Sequence, residues 1–300
     1  MAVPRLGIGS GGASARGARA IGAMDGQHTR DPVVRRRAPA RLRPVVHGLL
    51  SGALLVAAAG ALGAQGVAAP PDSSRHAANV WLVYNGRHAL SARWALFADA
   101  QVRRGDGLVR PKQWLVRPGL RYRWREHVSL TAGYAFQRTS PHGLLAEEIP
   151  TDEHRVWQQI EVERPAGRTA LEHRLRLEQR WEEDVSDAGG TARVTGRGYQ
   201  NRARYRLSAT RPLHGGEPDA PGWYLAASDE PFVRWGPGVG RTFDQNRAFV
   251  GLGRRWSDGL RVEGGYLNQY ARAGSGRAVE VNHVLQLTLV SEVPLRRGVR

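Results

Sequence analysis

The sequence predicts an all-β fold, an antiparallel up-and-down transmembrane barrel of 10–12 strands that follows a cleaved signal peptide. From about residue 79 onward, apolar residues recur at every second position, which is the periodicity of strands with one apolar face. The alternating segments are long: soluble proteins usually have strands of about 5–6 residues, whereas a tilted strand that crosses a bilayer needs about 9–11. The opposite faces carry rows of Arg and Glu, as expected for a barrel with a polar interior.

Residues 1–68 differ in composition from the rest and are expected to be a leader. All 9 Trp, 8 Tyr and 5 Phe lie beyond residue 80. The run 45–64 is apolar and rich in Gly and Ala, follows a cluster of arginines and ends in small residues, as secretory signal peptides do. We expect cleavage between Gly63 and Ala69, with a retained membrane anchor as the alternative. The long stretch before the run also fits a start codon placed upstream of the true one.

Composition excludes several classes of protein. The chain of 300 residues contains no Cys, which removes disulfide frameworks, thiolate zinc sites and cysteine nucleophiles. Its net charge of +17 raises the possibility of a nucleic-acid partner. However, Arg alternates with Glu on the same strand faces, which reduces the field that a nucleic acid would meet. We therefore predict no nucleic-acid partner.

The barrel is expected over residues 79–291, after a linker at 69–78 and before a tail at 292–300. The expected strands are 79–88, 92–103, 112–123, 128–138, 153–162, 169–182, 199–209, 223–233, 243–255, 259–270 and a last one around Leu285. These are eleven segments, whereas single-chain bacterial barrels have even strand numbers. One segment is thus expected to be missed, false or split, which gives ten or twelve strands. Segments 139–152 and 183–198 are expected to be long polar loops.

Three segments show the two faces most clearly. In 112–123, the residues Trp114 and Leu120 share a face that is opposite to Arg117 and Arg121. In 169–182, an apolar row faces an unbroken charged row, and 199–209 repeats the pattern. Aromatic residues are expected near the strand ends, as in the girdles of outer-membrane barrels. The Trp residues assigned to strand ends are Trp81, Trp94, Trp114, Trp157, Trp181, Trp223 and Trp256.

If the apolar faces point to lipid, the charged faces point to the interior and must find partners there. The predicted interior residues are Arg117, Arg121, Arg155, Glu161, Glu172, Arg174, Arg176, Glu178, Arg180, Arg202, Arg204, Arg206, Glu230, Arg247 and Glu263. One interpretation is an interior filled by salt bridges. The other is a passage or binding site for anions, because Arg exceeds Glu in this set.

The order of several short motifs resembles one bacterial family, which is known as domain of unknown function 2490 and grouped with outer-membrane β-barrels. The motifs are Arg117–Tyr122, Ala132–Tyr134, Glu153–Gln159, Arg174–Arg180, Arg202–Tyr205, Glu230–Phe232, Asn246–Arg247, Gly251–Gly253 and Gly265–Gln269. The resemblance covers roughly residues 79–290. It implies an outer-membrane location and carries no activity.

No catalytic chemistry is predicted, and neither a metal nor a cofactor is expected. The ten His residues are scattered without the spacing of a helical metal site. His154 and His173 lie on adjacent expected strands, where they could approach each other. A Ser/His arrangement would have to use Ser208 or Ser228 with His173 or His283, and no spacing supports it. Glu230 and Glu263 are expected to pair with arginines rather than act as an acid/base pair.

The expected function is a structural or narrow anion-passing role of a porin-like barrel in the outer membrane of a Gram-negative bacterium, without enzymatic activity. The expected partners are outer-membrane lipid and, during insertion, the barrel assembly machinery. The alternatives are a soluble periplasmic β-sandwich that binds a ligand, and a lipid-modifying outer-membrane enzyme. The sequence leaves the ligand and the oligomeric state open.

Overall fold

The computed structural model describes residues 73–143, 146–187, 189–214, 220–257, 259–272 and 278–295. The expected leader and signal peptide lie outside these ranges. Within them, no helix is long and apolar enough to cross a bilayer. The described residues form strands β1 (Ser73–Ala89), β2 (Trp94–Gly105), β3 (Arg110–Arg125), β4 (Val128–Thr139), β5 (Thr151–Ala166), β6 (Thr169–Asp187), β7 (Ala192–Pro212), β8 (Gly222–Trp235), β9 (Phe243–Ser257), β10 (Leu260–Arg272) and β11 (Ala278–Ser291).

In the described part of the chain these eleven strands form one closed barrel, which confirms the predicted all-β barrel. Each strand pairs antiparallel with its neighbour in sequence, and β1 closes the sheet against β11 in parallel. A parallel closure is required because, in an up-and-down barrel with an odd number of strands, the first and last strands run in the same direction. The expected even strand number is therefore wrong, and none of the eleven segments is false or split.

The parallel seam is linked on both faces of the sheet. Its register runs from Ser73 opposite Ala278 to Gly86 opposite Ser291. On the inner face, Asn79 donates a hydrogen bond of 2.5 Å from its side-chain amide to Asn282. On the outer face, ring nitrogens of His76 and His283 are 3.0 Å apart. β1 thus begins before Asn79, inside the expected linker, because pairing with β11 needs backbone groups and not an apolar alternation.

The strands alternate in direction around the barrel. Four of the five connections at one rim are short turns, and the connection at 213–221 between β7 and β8 is the long exception there. The turns at 126–127 and 167–168 lie at this rim, called the short-turn end. The connection between β4 and β5 lies at the opposite rim, called the long-loop end. The expected loop at 183–198 is wrong, because β6 and β7 pair as far as Asp187 opposite Ala192. Backbone pairing continues there although the side chains have become polar.

Two pairs of glycines face each other across strands on the inner face. Gly133 in β4 lies opposite Gly119 in β3, and the indole ring of Trp157 lies over both. Gly265 in β10 lies opposite Gly251 in β9, and the ring of Phe249 lies over both. A Cβ atom on Gly265 would be 2.3 Å from the carbonyl oxygen of Val250 and 2.9 Å from the Phe249 ring. The Trp157 and Phe249 rings thus find space in the interior at positions where the facing residues are glycines and have no side chain.

We expect Gly265→Ala to lower the free energy of unfolding by about 1–3 kcal/mol, because the added methyl group meets backbone as well as a packed ring. Gly264→Ala is the matched control. Its Cβ atom would meet only the end of Leu287, at 3.2 Å, so the change should stay within about 0.5 kcal/mol. Guanidinium unfolding of both variants measures the difference. Equal unfolding curves would show that the glycine pair is not required for packing.

Candidate functional site

The structure places all the predicted interior residues on inward faces of the barrel strands. Buried among them are Arg117, Arg155, Glu161, Arg174, Arg176, Glu178, Arg180, Arg202, Arg204 and Glu230. Arg121, Glu172, Arg206, Arg247 and Glu263 are half-buried. Together with the acidic and basic side chains that they contact, they form what we call the interior charge network.

At the short-turn end, the network is built from pairs across strands. Arg121 lies 2.6 Å from Glu161, and Arg206 lies 2.5 Å from Glu172. Arg87 from β1 reaches across the interior and contacts both carboxylates, at 3.3 Å and 3.0 Å. Arg87, which lies near the C-terminal end of β1, was not among the predicted interior residues.

In the middle of the barrel, single carboxylates are shared between two arginines. Glu178, which is completely buried, lies 2.5 Å from Arg202 and 3.5 Å from Arg204. Glu230 lies 2.5 Å from Arg174 and 2.8 Å from Arg204. Sharing of this kind gives each of several cations a carboxylate contact, which matters because a buried unpaired charge costs several kcal/mol.

Toward the long-loop end, two further acids complete the network. Glu153 lies 2.6 Å from Arg155 and also contacts Arg180. Asp99 lies 2.6 Å from Arg117. Neither acid was among the predicted interior residues. Both follow the same alternation as their inward neighbours, so the period-two signal that identified Arg155 would also have found Glu153.

Several interior arginines have their guanidinium groups in contact with aromatic rings. The Arg176 guanidinium lies 4.6 Å from the centre of the buried Trp157 ring, and its Nε donates to Gln159 at 2.6 Å. Arg204 and Arg247 lie 4.7 Å and 4.8 Å from the centre of the Phe232 ring. The placement of Trp81 and Trp157 at strand ends is therefore wrong, because both are buried inside the barrel among arginines. Cation–π attraction gives these rings an electrostatic as well as a packing role.

The residues considered for catalysis are not brought together. His173 accepts or donates a hydrogen bond with Tyr205 at 2.6 Å, and His154 contacts Tyr134. In the register of β5 and β6, His154 lies opposite Trp181 and His173 opposite Val162, so the two histidines do not approach each other. Ser208 and Ser228 lie opposite each other on the inner face, whereas the side chains of His173 and His283 lie on the outer face.

Glu230 and Glu263 also serve different partners. Glu230 pairs with Arg174 and Arg204, whereas Glu263 accepts a hydrogen bond of 2.9 Å from the Tyr224 hydroxyl and lies 3.7 Å from Arg261. Their contacts are those of charge partners within the interior.

The connection between β4 and β5 folds inward at the long-loop end. The His142 ring is buried and occupies the space where a side chain of Gly105 would be, since a Cβ atom there would be 1.9 Å from the ring. Gly143 has a φ of +107°, and a Cβ atom on it would be 2.6 Å from the Glu280 carboxylate. His142 and Gly143 thus cover part of the barrel mouth, and Gly105 and Gly143 permit this close approach.

Comparison with known proteins agrees with this architecture. Residues 78–280, from β1 to the start of β11, match a family described as a protein of unknown function, DUF2490. The chain belongs to the DUF2490 family. An uncharacterised protein of Methylorubrum extorquens is 31% identical over 200 residues, which cover 65% of this chain and 79% of that protein. No solved structure matches the chain.

For the DUF2490 barrel, we expect Glu178→Gln to reduce the free energy of unfolding by about 3–5 kcal/mol, because it leaves Arg202 and Arg204 buried with one carboxylate fewer. Glu163→Gln is the control, since Glu163 is 48% exposed and its pairs should contribute about 0–1 kcal/mol. Denaturant unfolding of both variants, in the same detergent, measures the two values. A small effect at Glu178 would contradict the role of shared carboxylates.

Closure of the barrel mouth by His142 should depend on pH. Burial lowers the pKa of His142 below its ordinary value, and the nearby Lys112 and Arg75 lower it further, against Asp106 and Glu280. Protonation therefore favours release of the ring from its buried place. Closure should be fully stabilised above the ordinary histidine pKa of about 6.5 and weaken as pH falls below it.

Because the chain has no Cys, Ala146→Cys introduces a single thiol into the same connection. We expect its labelling, relative to the same thiol in a His142→Gln background, to increase between pH 7 and pH 5. The ratio removes the intrinsic pH dependence of the thiol. A ratio that stays constant would mean that His142 does not control the connection.

Proposed function

We propose that this DUF2490 protein spans the outer membrane of a Gram-negative bacterium, with its outer face in lipid and its interior closed by the charge network. The observation that carries the proposal is the inverted polarity of the barrel. Charged side chains are buried inside, whereas large apolar side chains are exposed outside. Transmembrane barrels have this distribution, and water-soluble barrels have the opposite one. The exposed apolar residues include Leu82, Leu96, Val102, Val116, Leu120, Val156, Leu175, Leu177, Leu225, Val250, Leu252, Leu285, Leu287 and Leu289.

Aromatic residues on the outer face support the membrane proposal. Near the short-turn end, Trp94 and Tyr122 are in ring contact, with 4.8 Å between their centres. Near the long-loop end, Trp114 contacts Phe136 in the same way, at 5.1 Å. Trp124, Trp223 and Trp256 add to the first group, and Trp181, Tyr199 and Trp235 to the second. Two girdles of this kind are typical of the two interfaces of a membrane.

Polar groups on the outer face are paired with one another. The His283 ring contacts the Tyr266 hydroxyl at 2.7 Å, and the Gln158 amide donates to Gln179 at 3.0 Å. His173 and Tyr205 form a similar pair. Water would satisfy such groups without help, whereas in lipid each group needs a partner within the protein. Cross-strand pairing of these residues therefore fits a lipid environment.

For the interior of this membrane-spanning barrel, we favour a space blocked by side chains over an open pore. Trp157, Phe232 and Arg176 are completely buried in the interior, so large side chains occupy the space that an open pore would need. The earlier alternative of a β-sandwich is wrong, because the sheet is closed. The excess of arginine over acid favours anions if any ion passes. Planar-bilayer recording distinguishes a blocked interior from an open pore, since a barrel with a blocked interior gives no steady conductance.

The membrane proposal is tested by expressing the full chain in a Gram-negative host. We expect the protein in the outer-membrane fraction, with faster gel migration before heating than after heating in detergent. Leu285→Arg places a charge on the outer face at mid-height and should cost about 2–4 kcal/mol in lipid. Val109→Arg, in the turn between β2 and β3, is the exposed control and should be neutral.

A soluble periplasmic protein without a heat-dependent shift would overturn the proposal. So would a neutral Leu285→Arg variant, because an exposed apolar residue of a water-soluble barrel accepts a charge within about 0.5 kcal/mol.

A further inference from the structure

A polar chamber of about 200 Å³ lies inside the barrel toward the long-loop end. Its wall includes Trp81, Arg103, Lys112 and Arg247, and His142 and Ala146 from the β4–β5 connection lie at its mouth. Since one water molecule takes up about 30 Å³ in the liquid, the chamber has room for a small ion and several waters.

Most basic groups of the chamber wall have a carboxylate partner. Arg117 pairs with Asp99, and Arg155 pairs with Glu153. The Lys112 ammonium lies 2.6 Å from Glu280 at the mouth. These cations need no further counter-charge.

Two arginines of the chamber, Arg103 and Arg247, differ from the others. Within the described residues, neither has a carboxylate within ion-pair distance. Arg103 is buried and donates to amide oxygens, those of Gln113 and, at 2.6 Å, of Gln101. Arg247 donates to the side-chain oxygen of Gln245, at 3.4 Å. In the part of the chain that the structure describes, the Nε atoms of both arginines have no hydrogen-bond acceptor.

The indole of Trp81 brings these two arginines together. Their guanidinium carbons lie 4.1 Å and 5.0 Å from the centre of the same ring. Cation–π attraction holds each cation in place but does not remove its charge. Two like charges thus lie within 5.0 Å of one ring centre in the wall of a buried chamber, and each keeps an Nε–H donor without an acceptor among the described residues. A ligand of opposite charge would relieve both the repulsion and the missing hydrogen bonds.

We propose that this chamber binds a small oxyanion with two negative charges, of the phosphate or sulfate class, between Arg103 and Arg247. Two cations without a carboxylate in ion-pair contact can both pair with one dianion, and the fork of an arginine matches the geometry of an oxyanion. The chamber is lined at the long-loop end by His142 and Ala146, so we expect the ion to enter from that end. The site goes beyond the proposed membrane location and does not require it, since it lies wholly within the barrel.

The test uses the full barrel refolded in detergent, with inorganic phosphate as the probe and chloride at equal ionic strength as the reference. We expect phosphate to raise the unfolding midpoint and calorimetry to show saturable binding. The double variant Arg103→Gln/Arg247→Gln should lose both effects. Arg247→Gln alone should weaken phosphate binding about tenfold or more. This single variant replaces the double variant in the test if the double variant does not fold.

Arg138→Gln/Arg254→Gln is the matched control, because it removes the same number of charges from exposed positions. It should bind phosphate as the unmodified chain does, and it corrects for the general stabilising effect of phosphate on folded proteins. The proposal is overturned if phosphate and chloride act alike, or if the Arg247→Gln variant keeps full affinity. These results are independent of whether the protein fractionates with the outer membrane.

Discussion

The structure depends on the neutralisation of buried charge inside a cylinder whose outer face is apolar. A strand that presents Leu to one side and Arg to the other can bury the Arg only if carboxylates reach it from other strands. The acids achieve this by bridging: Glu178 joins Arg202 and Arg204, and Glu230 joins Arg174 and Arg204. Because each bridge crosses strands, the charge pairing also fixes which strand faces belong together.

Aromatic rings contact interior arginines that have no carboxylate partner among the described residues. The interior holds more cations than acids, and the surplus arginines lie on rings. Arg176 stacks on Trp157, and Arg247 stacks between Trp81 and Phe232. The Trp157 ring in turn fits only because Gly119 in β3 and Gly133 in β4 have no side chains beneath it. Backbone spacing, ring packing and charge burial are therefore parts of one arrangement.

The alternation of residue types was sufficient to predict the strands, their order and the side that each residue faces. It was not sufficient to predict register, which brings Arg155 opposite Arg180 and Arg176 opposite Arg204. Glu153 bridges the first of these like-charged pairs, whereas Arg176 in the second lies on the Trp157 ring. The strand number was misjudged because a general rule of even counts was preferred to the eleven visible segments. Trp157 was misplaced for a similar reason, since its parity with Arg155 pointed inward while its residue type suggested the membrane interface.

The parallel seam between β1 and β11 has a consequence for assembly. Every other strand pair joins neighbours in sequence, whereas His76 and His283 at the seam are 207 positions apart. No hairpin can form this pairing, and it has to wait until the last strand is available. Parallel ladders are also slightly less stable per residue than antiparallel ones. We therefore expect the seam to be the last strand pair to form. Its ladder from Ser73 to Gly86, together with the histidine and asparagine contacts, removes the two free edges that an open sheet of these strands would have.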